Sequence, residues 1–136
     1  MVGHYLKKLL LIEDDNATAQ SYAEHFADEY EVCISKNGEE GLREAEEIMP
    51  NVILLDIMLP GKLNGFDVLR ELKQRPQTAN IPIIMLTNLD DQRKAALEFG
   101  AAECFVKANT DIDEVSKAIR SAVQGSDNKA DSTQSK

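Results

Sequence analysis

Apolar and polar residues follow one another along the chain in blocks whose spacing changes at regular intervals. Short apolar runs without alternation are typical of strands that are covered on both faces. The predicted strands are LKKLLLIED, EVCIS, VILLD, IPIIMLT and ECFVK. After each run, apolar residues recur at intervals of three and four, which is typical of helices with one buried face. The predicted helices are NATAQSYAEHFADEY, the segment from Asn37 to Pro50, FDVLRELKQR, DDQRKAALEFG and DIDEVSKAIRSAVQ.

The order of these elements predicts the architecture. Five strands alternate with five helices, which indicates an α/β fold with a parallel sheet, helices on both of its faces and right-handed crossovers. Asn16 is the predicted N-cap of the first helix, and Gly100 ends the fourth. We expect one domain over residues 1–124, followed by a disordered polar tail over 125–136 that lacks large apolar side chains.

Composition narrows the classes of partner. The net charge is −9, with 24 acidic and 15 basic residues. This balance disfavours direct binding of nucleic acid and favours protein partners or cations. No apolar run approaches the length of a membrane span, so we expect no membrane insertion. No signal peptide precedes Cys33 and Cys104, and we expect both to be buried thiols in a reducing cytoplasm.

Polar groups follow the predicted strands at the points where the strands end. In a parallel sheet these carboxyl ends lie at one edge, where ligands bind. The residues there are Glu13, Asp14 and Asp15, then Ser35, Asp56, Thr87 and Lys107. Each of them alone is commonly structural, because acids at strand ends often cap helices or face solvent. Together they predict a site, since clustered carboxylates repel one another unless a cation lies among them.

The chemistry of this edge favours Mg²⁺ and a phosphoryl group. Mg²⁺ prefers hard oxygen ligands, whereas zinc is disfavoured because the histidines and cysteines lie elsewhere in the sequence. Lys107 could neutralise a phosphoryl oxygen, and Thr87 could donate a hydrogen bond to another. Asp56 is placed to attack phosphorus and to form an acyl phosphate.

Four segments carry a family resemblance. LLLIEDD, VILLDIMLPGKLNGFDVL, PIIMLT and FVK resemble, in this order and at these separations, the receiver domain of two-component response regulators. The resemblance covers the chain from Leu6 to Val123. It implies a flavodoxin-like (βα)5 doubly wound parallel sheet with strand order 2-1-3-4-5. It also implies a cytoplasmic phosphoprotein of a two-component phosphorelay, a monomer or weak dimer.

The resemblance further implies partners and residue roles. A sensor histidine kinase or a histidine phosphotransfer protein would phosphorylate Asp56 with Mg²⁺, and the domain would be no turnover enzyme. The implied metal ligands are Glu13, Asp14, Asp56 and the backbone carbonyl of Met58. The implied catalytic and switch residues are Asp56, Thr87, Lys107 and Phe105. Asp15 is expected to be an acid of the first helical turn.

The output would be a changed protein surface. The helix after Thr87, the fifth strand and the last helix would change and signal to a separate downstream effector protein. Two alternatives stay open. The chain is an N-terminal fragment of a longer regulator, or it is a receiver that acts as a constitutive protein-interaction module.

Three positions depart from the family pattern. The turn PGKLNG, from Pro60 to Gly65, is one residue longer than usual. Ala108 follows Lys107 where the family usually has a cis proline, so the bond is either cis or trans, and a trans bond could move the Lys107 ammonium. Asn88 follows Thr87 where a small residue is usual.

The apolar residues Met58 and Leu89 flank the expected phosphoryl position. Neither can orient an attacking water, which predicts slow self-dephosphorylation. A flavin-binding protein is disfavoured because the loop EDDN would repel a phosphate. A phosphatase with an Asp nucleophile is disfavoured because Met58 stands where such enzymes carry a second acid.

Overall fold

The structure, a computed structural model, describes residues 6–134 and contains one parallel sheet. Its strand order is β2-β1-β3-β4-β5, which confirms the predicted flavodoxin-like architecture. The strands are β1 (Lys7–Ile12), β2 (Tyr30–Ser35), β3 (Val52–Asp56), β4 (Ile83–Thr87) and β5 (Glu103–Val106). The helices are α1 (Asn16–Phe26), α2 (Gly38–Ile48), α3 (Gly65–Gln74), α4 (Arg93–Glu98) and α5 (Ile112–Gln134). Two 3-10 turns, Asp90–Gln92 and Lys107–Asn109, precede α4 and α5.

The sheet has a hydrophobic core on each face. Leu10 and Ile12 of β1 pack into the core that α2 and α3 cover, whereas Leu9 and Leu11 pack into the core that α1 and α5 cover. All four side chains are at most 1% exposed. Burial on both faces explains why the sequence of β1 shows no alternation.

Both cysteines are free: Cys104 is buried, but Cys33 is only half-buried, which differs from the prediction.

Side-chain caps fix where the helices begin. The N-cap of α1 is Asp15, whose Oδ2 accepts hydrogen bonds from the Thr18 N–H (2.8 Å) and the Thr18 hydroxyl (2.7 Å). The predictions of Asn16 as the cap and of Asp15 as a first-turn acid were therefore wrong, because the Asp15 carboxylate satisfies the free donors at this helix end. The N-cap of α2 is Asn37, the residue at which the sequence predicted this helix to begin, and its Oδ1 accepts a hydrogen bond from the Glu40 N–H (2.8 Å).

Two helices differ in length from the prediction. The segment DDQRKAALEFG was expected to form one helix, but it divides into the 3-10 turn Asp90–Gln92 and the six-residue α4. Helix α5 continues through Gly125 to Gln134, where the sequence predicted a disordered tail. Extending a helix that is already formed costs far less than nucleating one. The last two residues of the predicted tail lie outside the described residues, and the boundary at 124/125 stays a prediction.

Within residues 6–134, no helix has the length and apolar character needed to cross a bilayer.

The turn from Pro60 to Gly65 returns the chain against the end of β3. Gly61 has a φ of 90°, a left-handed conformation that favours glycine. Gly65 is required for a different reason, because a Cβ there would lie 2.5 Å from the Asp56 carbonyl oxygen and from Ile57 Cα. The turn therefore places the start of α3 directly beside the backbone of Asp56.

Candidate functional site

Two acids and one lysine meet at the carboxyl edge of the sheet. The Lys107 ammonium nitrogen lies 3.1 Å from Glu13 Oε1 and 3.3 Å from Asp56 Oδ2. Glu13 and Asp56 are 1% and 4% exposed, so both carboxylates have left bulk water. Removing charges from water is unfavourable unless they are paired and hydrogen-bonded, and this triad provides the pairing.

The pKa values of this group reflect burial and mutual charge. Burial raises the pKa of Glu13. The hydrogen bond that its Oε2 accepts from the Asp15 N–H (3.1 Å) lowers this pKa, whereas the charge of Asp56 raises it further. For Lys107, burial lowers the pKa, but the carboxylates of Asp56 and Glu13 outweigh burial and leave its pKa raised. Lys107 is therefore a protonated counter-ion of the two acids at neutral pH.

A third carboxylate completes a set of hard oxygen donors. Glu13, Asp14 and Asp56 each offer a carboxylate oxygen, and these oxygens lie within 4.8 Å of one another. Asp14 is exposed, whereas the other two acids are buried. A divalent ion here would have carboxylate ligands on one side and water on the other, which is the mixed coordination that Mg²⁺ prefers. The donor set fits Mg²⁺.

The Asp56 carboxylate is held at both oxygens. Its Oδ1 accepts a hydrogen bond from the Met58 N–H (3.1 Å), and its Oδ2 faces Lys107. The bond to Met58 brings the backbone that follows β3 against the acid. The Met58 side chain is 56% exposed. The role of the Met58 carbonyl as a metal ligand stays a prediction.

The bond after Lys107 is trans, since residues 6–134 contain no cis peptide bond. Lys107 begins a 3-10 turn that ends at Asn109. Its side chain nevertheless reaches both acids. The replacement of the usual proline by Ala108 has therefore not removed the ammonium from the site.

The Thr87 hydroxyl has two partners that the sequence did not reveal. Thr87 is fully buried; its hydroxyl donates to Gln92 Oε1 (2.9 Å) and accepts from the Leu89 N–H (3.0 Å). Asn88 is exposed. Sequence analysis missed Gln92, because its position beside Thr87 depends on the 3-10 turn, and the sequence predicted a continuous helix there.

The remaining predicted residues, Phe105, Ser35 and Asp15, have other roles. Phe105 is half-buried and packs against the core under α1 and α5. Ser35 contributes its backbone carbonyl, which accepts from the Glu13 N–H (2.9 Å). Its buried hydroxyl is without a hydrogen-bond partner in the part of the chain described. Asp15 caps α1, as described above, and is not one of the three clustered carboxylates.

A cavity of about 450 Å³ opens beside the acids. Its lining combines an acid, two amide side chains and apolar groups, and includes Asp14, Met58, Pro60, Phe66 and Gln92. Through Asp14, the cavity adjoins the cluster of three carboxylates.

Known proteins share both the sequence pattern and the fold. The response regulator receiver domain family matches residues 9–120. Response regulator PleD of Caulobacter vibrioides is 36% identical over 108 residues, which are 77% of this chain and 24% of that protein. This chain spans about a quarter to about half the length of the curated relatives it matches.

Two solved receiver domains have a similar fold. The receiver domain of a Clostridium thermocellum response regulator has a TM-score of 0.78 and 32% identity, over 88% of this chain and 95% of that one. The receiver domain of the Francisella response regulator 1452 has a TM-score of 0.80 and 26% identity, over 87% and 97%. With the family match over residues 9–120, these findings show that the chain belongs to the response regulator receiver domain family.

Proposed function

We propose that this receiver domain accepts a phosphoryl group on Asp56 when Mg²⁺ is present. The donor is the phosphohistidine of a sensor histidine kinase or of a histidine phosphotransfer protein. The observation that carries this proposal is the placement of the buried Asp56 carboxylate between the Lys107 ammonium and two further acids. A carboxylate in this position has a cation partner of its own and lies within 4.8 Å of further carboxylate oxygens that could hold a second cation.

The chemical step is an in-line transfer from nitrogen to oxygen. An Asp56 carboxylate oxygen attacks phosphorus, the P–N bond breaks, and its electron pair remains on the imidazole. Mg²⁺ held by Glu13, Asp14, Asp56 and the Met58 carbonyl would neutralise charge on the carboxylates and the phosphoryl oxygens. Lys107 pairs with one phosphoryl oxygen, and the Thr87 hydroxyl donates to another.

The signal follows from the added charge. Phosphorylation adds about −1.5 to −2 charges at this edge, which draws the Thr87 hydroxyl toward the phosphoryl group and allows Phe105 to reorient. The surface of α4, β5 and α5 then differs between the two states, and an effector protein recognises the difference. The domain acts in the cytoplasm as a monomer or weak dimer and turns over no separate substrate. Its net charge of −9 favours protein partners.

Intact-mass measurement with a small phosphodonor tests this proposal. Incubation with acetyl phosphate and Mg²⁺ is expected to add one phosphoryl group to the wild-type protein, and a chelator should prevent the addition. Asp56→Asn is expected to abolish the adduct. Asp28→Asn, which changes an exposed acid outside the site, should leave the adduct unchanged. Absence of a Mg²⁺-dependent adduct in the wild type would contradict the proposal and favour the constitutive interaction module.

A further inference from the structure

The Thr87 hydroxyl makes two hydrogen bonds within the domain. It donates its single proton to Gln92 Oε1 at 2.9 Å and accepts from the Leu89 N–H at 3.0 Å. A hydroxyl has one proton to donate and two lone pairs. A hydrogen bond from Thr87 to a phosphoryl oxygen therefore excludes the bond to Gln92, whereas the bond from Leu89 is compatible with both.

The Gln92 side chain is directed to Thr87 and not to its own helix. Gln92 ends the 3-10 turn and occupies the N-cap position of α4, but its side chain makes no capping hydrogen bond. It also lines the cavity beside Asp14 and Met58. The Thr87–Gln92 bond thus lies between the strand that carries the hydroxyl and the start of a helix on the predicted output surface.

We propose that Gln92 is a positioning residue that holds the Thr87 hydroxyl away from the phosphoryl site and thereby lowers the affinity of the domain for a phosphoryl group. This inference rests on the proposed phosphorylation of Asp56. Breaking the Thr87–Gln92 bond is a step of the switch, and the residue at position 92 sets how readily the switch occurs. The break also removes one of the two hydrogen bonds that join the Thr87 hydroxyl of β4 to this turn, which links the site to α4.

Beryllofluoride binding measures this effect. Beryllium chloride with fluoride and Mg²⁺ forms a tetrahedral phosphoryl analogue on a carboxylate, and titration gives its apparent dissociation constant. Gln92→Met keeps the length of the side chain but removes the acceptor, and it should tighten binding roughly two- to tenfold, which corresponds to the net contribution of one hydrogen bond. Gln20→Met, at an exposed position of α1, should leave binding unchanged.

A double-mutant cycle separates positioning from a structural effect. If Gln92 acts through the Thr87 hydroxyl, Gln92→Met should have no effect on beryllofluoride affinity in a Thr87→Val background. An equal tightening in both backgrounds, or no tightening in the wild-type background, would overturn the inference.

Amide hydrogen exchange without ligand tests the bond itself. Because the Leu89 N–H donates to the oxygen that Gln92 positions, Gln92→Met should accelerate exchange at Leu89, and Gln92→Glu, which retains an acceptor, should restore slow exchange. Unchanged exchange in Gln92→Met would show that Gln92 does not position Thr87. Failure of the wild type to bind beryllofluoride would instead overturn the proposed function, and with it the role of Gln92 in switching.

Discussion

The Lys107 ammonium lies 3.3 Å from Asp56 Oδ2, although the two residues are 51 positions apart in sequence and β4 lies between their strands. Lys107→Met leaves two buried acids without their cation. We expect the free energy of unfolding of the metal-free protein to fall by about 1–3 kcal/mol. Urea unfolding measures this, and Mg²⁺ should recover part of the loss. Lys117→Met, at an exposed position of α5, has the same charge change and should have little effect.

Mg²⁺ binding should stabilise the fold through Asp14. At a Mg²⁺ concentration ten times its dissociation constant, the expected stabilisation is about 1.4 kcal/mol. Asp14→Asn should weaken Mg²⁺ affinity at least about tenfold, because a full charge is lost among the ligands. Asp15→Asn is the matched control, since asparagine can still cap α1. Thermal unfolding at several Mg²⁺ concentrations distinguishes the two variants, and equal Mg²⁺ dependence in both would refute the assignment of Asp14.

The phosphorylated domain should lose its phosphoryl group slowly. Met58 and Leu89 are 56% and 49% exposed beside the site, and neither side chain can orient a water. The double variant Met58→Asn/Leu89→Glu should accelerate hydrolysis roughly tenfold, the gain expected from orienting one water through a hydrogen bond. The decay of intact-mass adducts over time measures the rate. An unchanged rate would show that another group limits access of water.

Gly65 should tolerate no side chain. A Cβ there would lie 2.5 Å from backbone atoms of Asp56 and Ile57. Gly65→Ala should therefore destabilise the fold by about 1–3 kcal/mol or more, because the turn must move away from β3. Gly125→Ala has open space around the new methyl group and should instead be neutral or stabilising by up to about 1 kcal/mol. Chemical unfolding of both variants provides the comparison.

We expect the ionisation of Tyr30 to lower the free energy of unfolding at alkaline pH. Burial raises the pKa of Tyr30 above its ordinary value of 10.0. The folded state therefore holds this proton more tightly than the unfolded state, so stability is full below pH 10.0 and falls as pH rises toward the folded pKa. Tyr30→Phe should make this fall shallower. Urea unfolding of both proteins from pH 8 to about 11 measures how the free energy of unfolding changes with pH. Below pH 10.0, the variant and the wild type should show the same pH dependence.

The regular elements could be predicted because their causes are local. The strand β3 is Val52–Asp56 in both the prediction and the structure, since an apolar run ends there at a charged residue. The start of α2 agrees with the prediction because Asn37 and Gly38 directly precede the apolar periodicity. The predicted N-cap of α1 was wrong because Asp14, Asp15 and Asn16 follow one another and each has a side chain that can cap a helix. Only the side-chain geometry selects Asp15.

The sequence by itself determined the succession of strands and helices along the chain and which acids, hydroxyl and lysine stand at the carboxyl ends of the strands, because burial patterns and strand ends depend on neighbouring residues. Only the tertiary structure decided how those groups pair. It decided that Lys107 reaches Glu13 and Asp56 from a trans peptide bond, and that the Thr87 hydroxyl donates to Gln92. Both outcomes depend on distances between separate elements, and local periodicity contains no information about such distances.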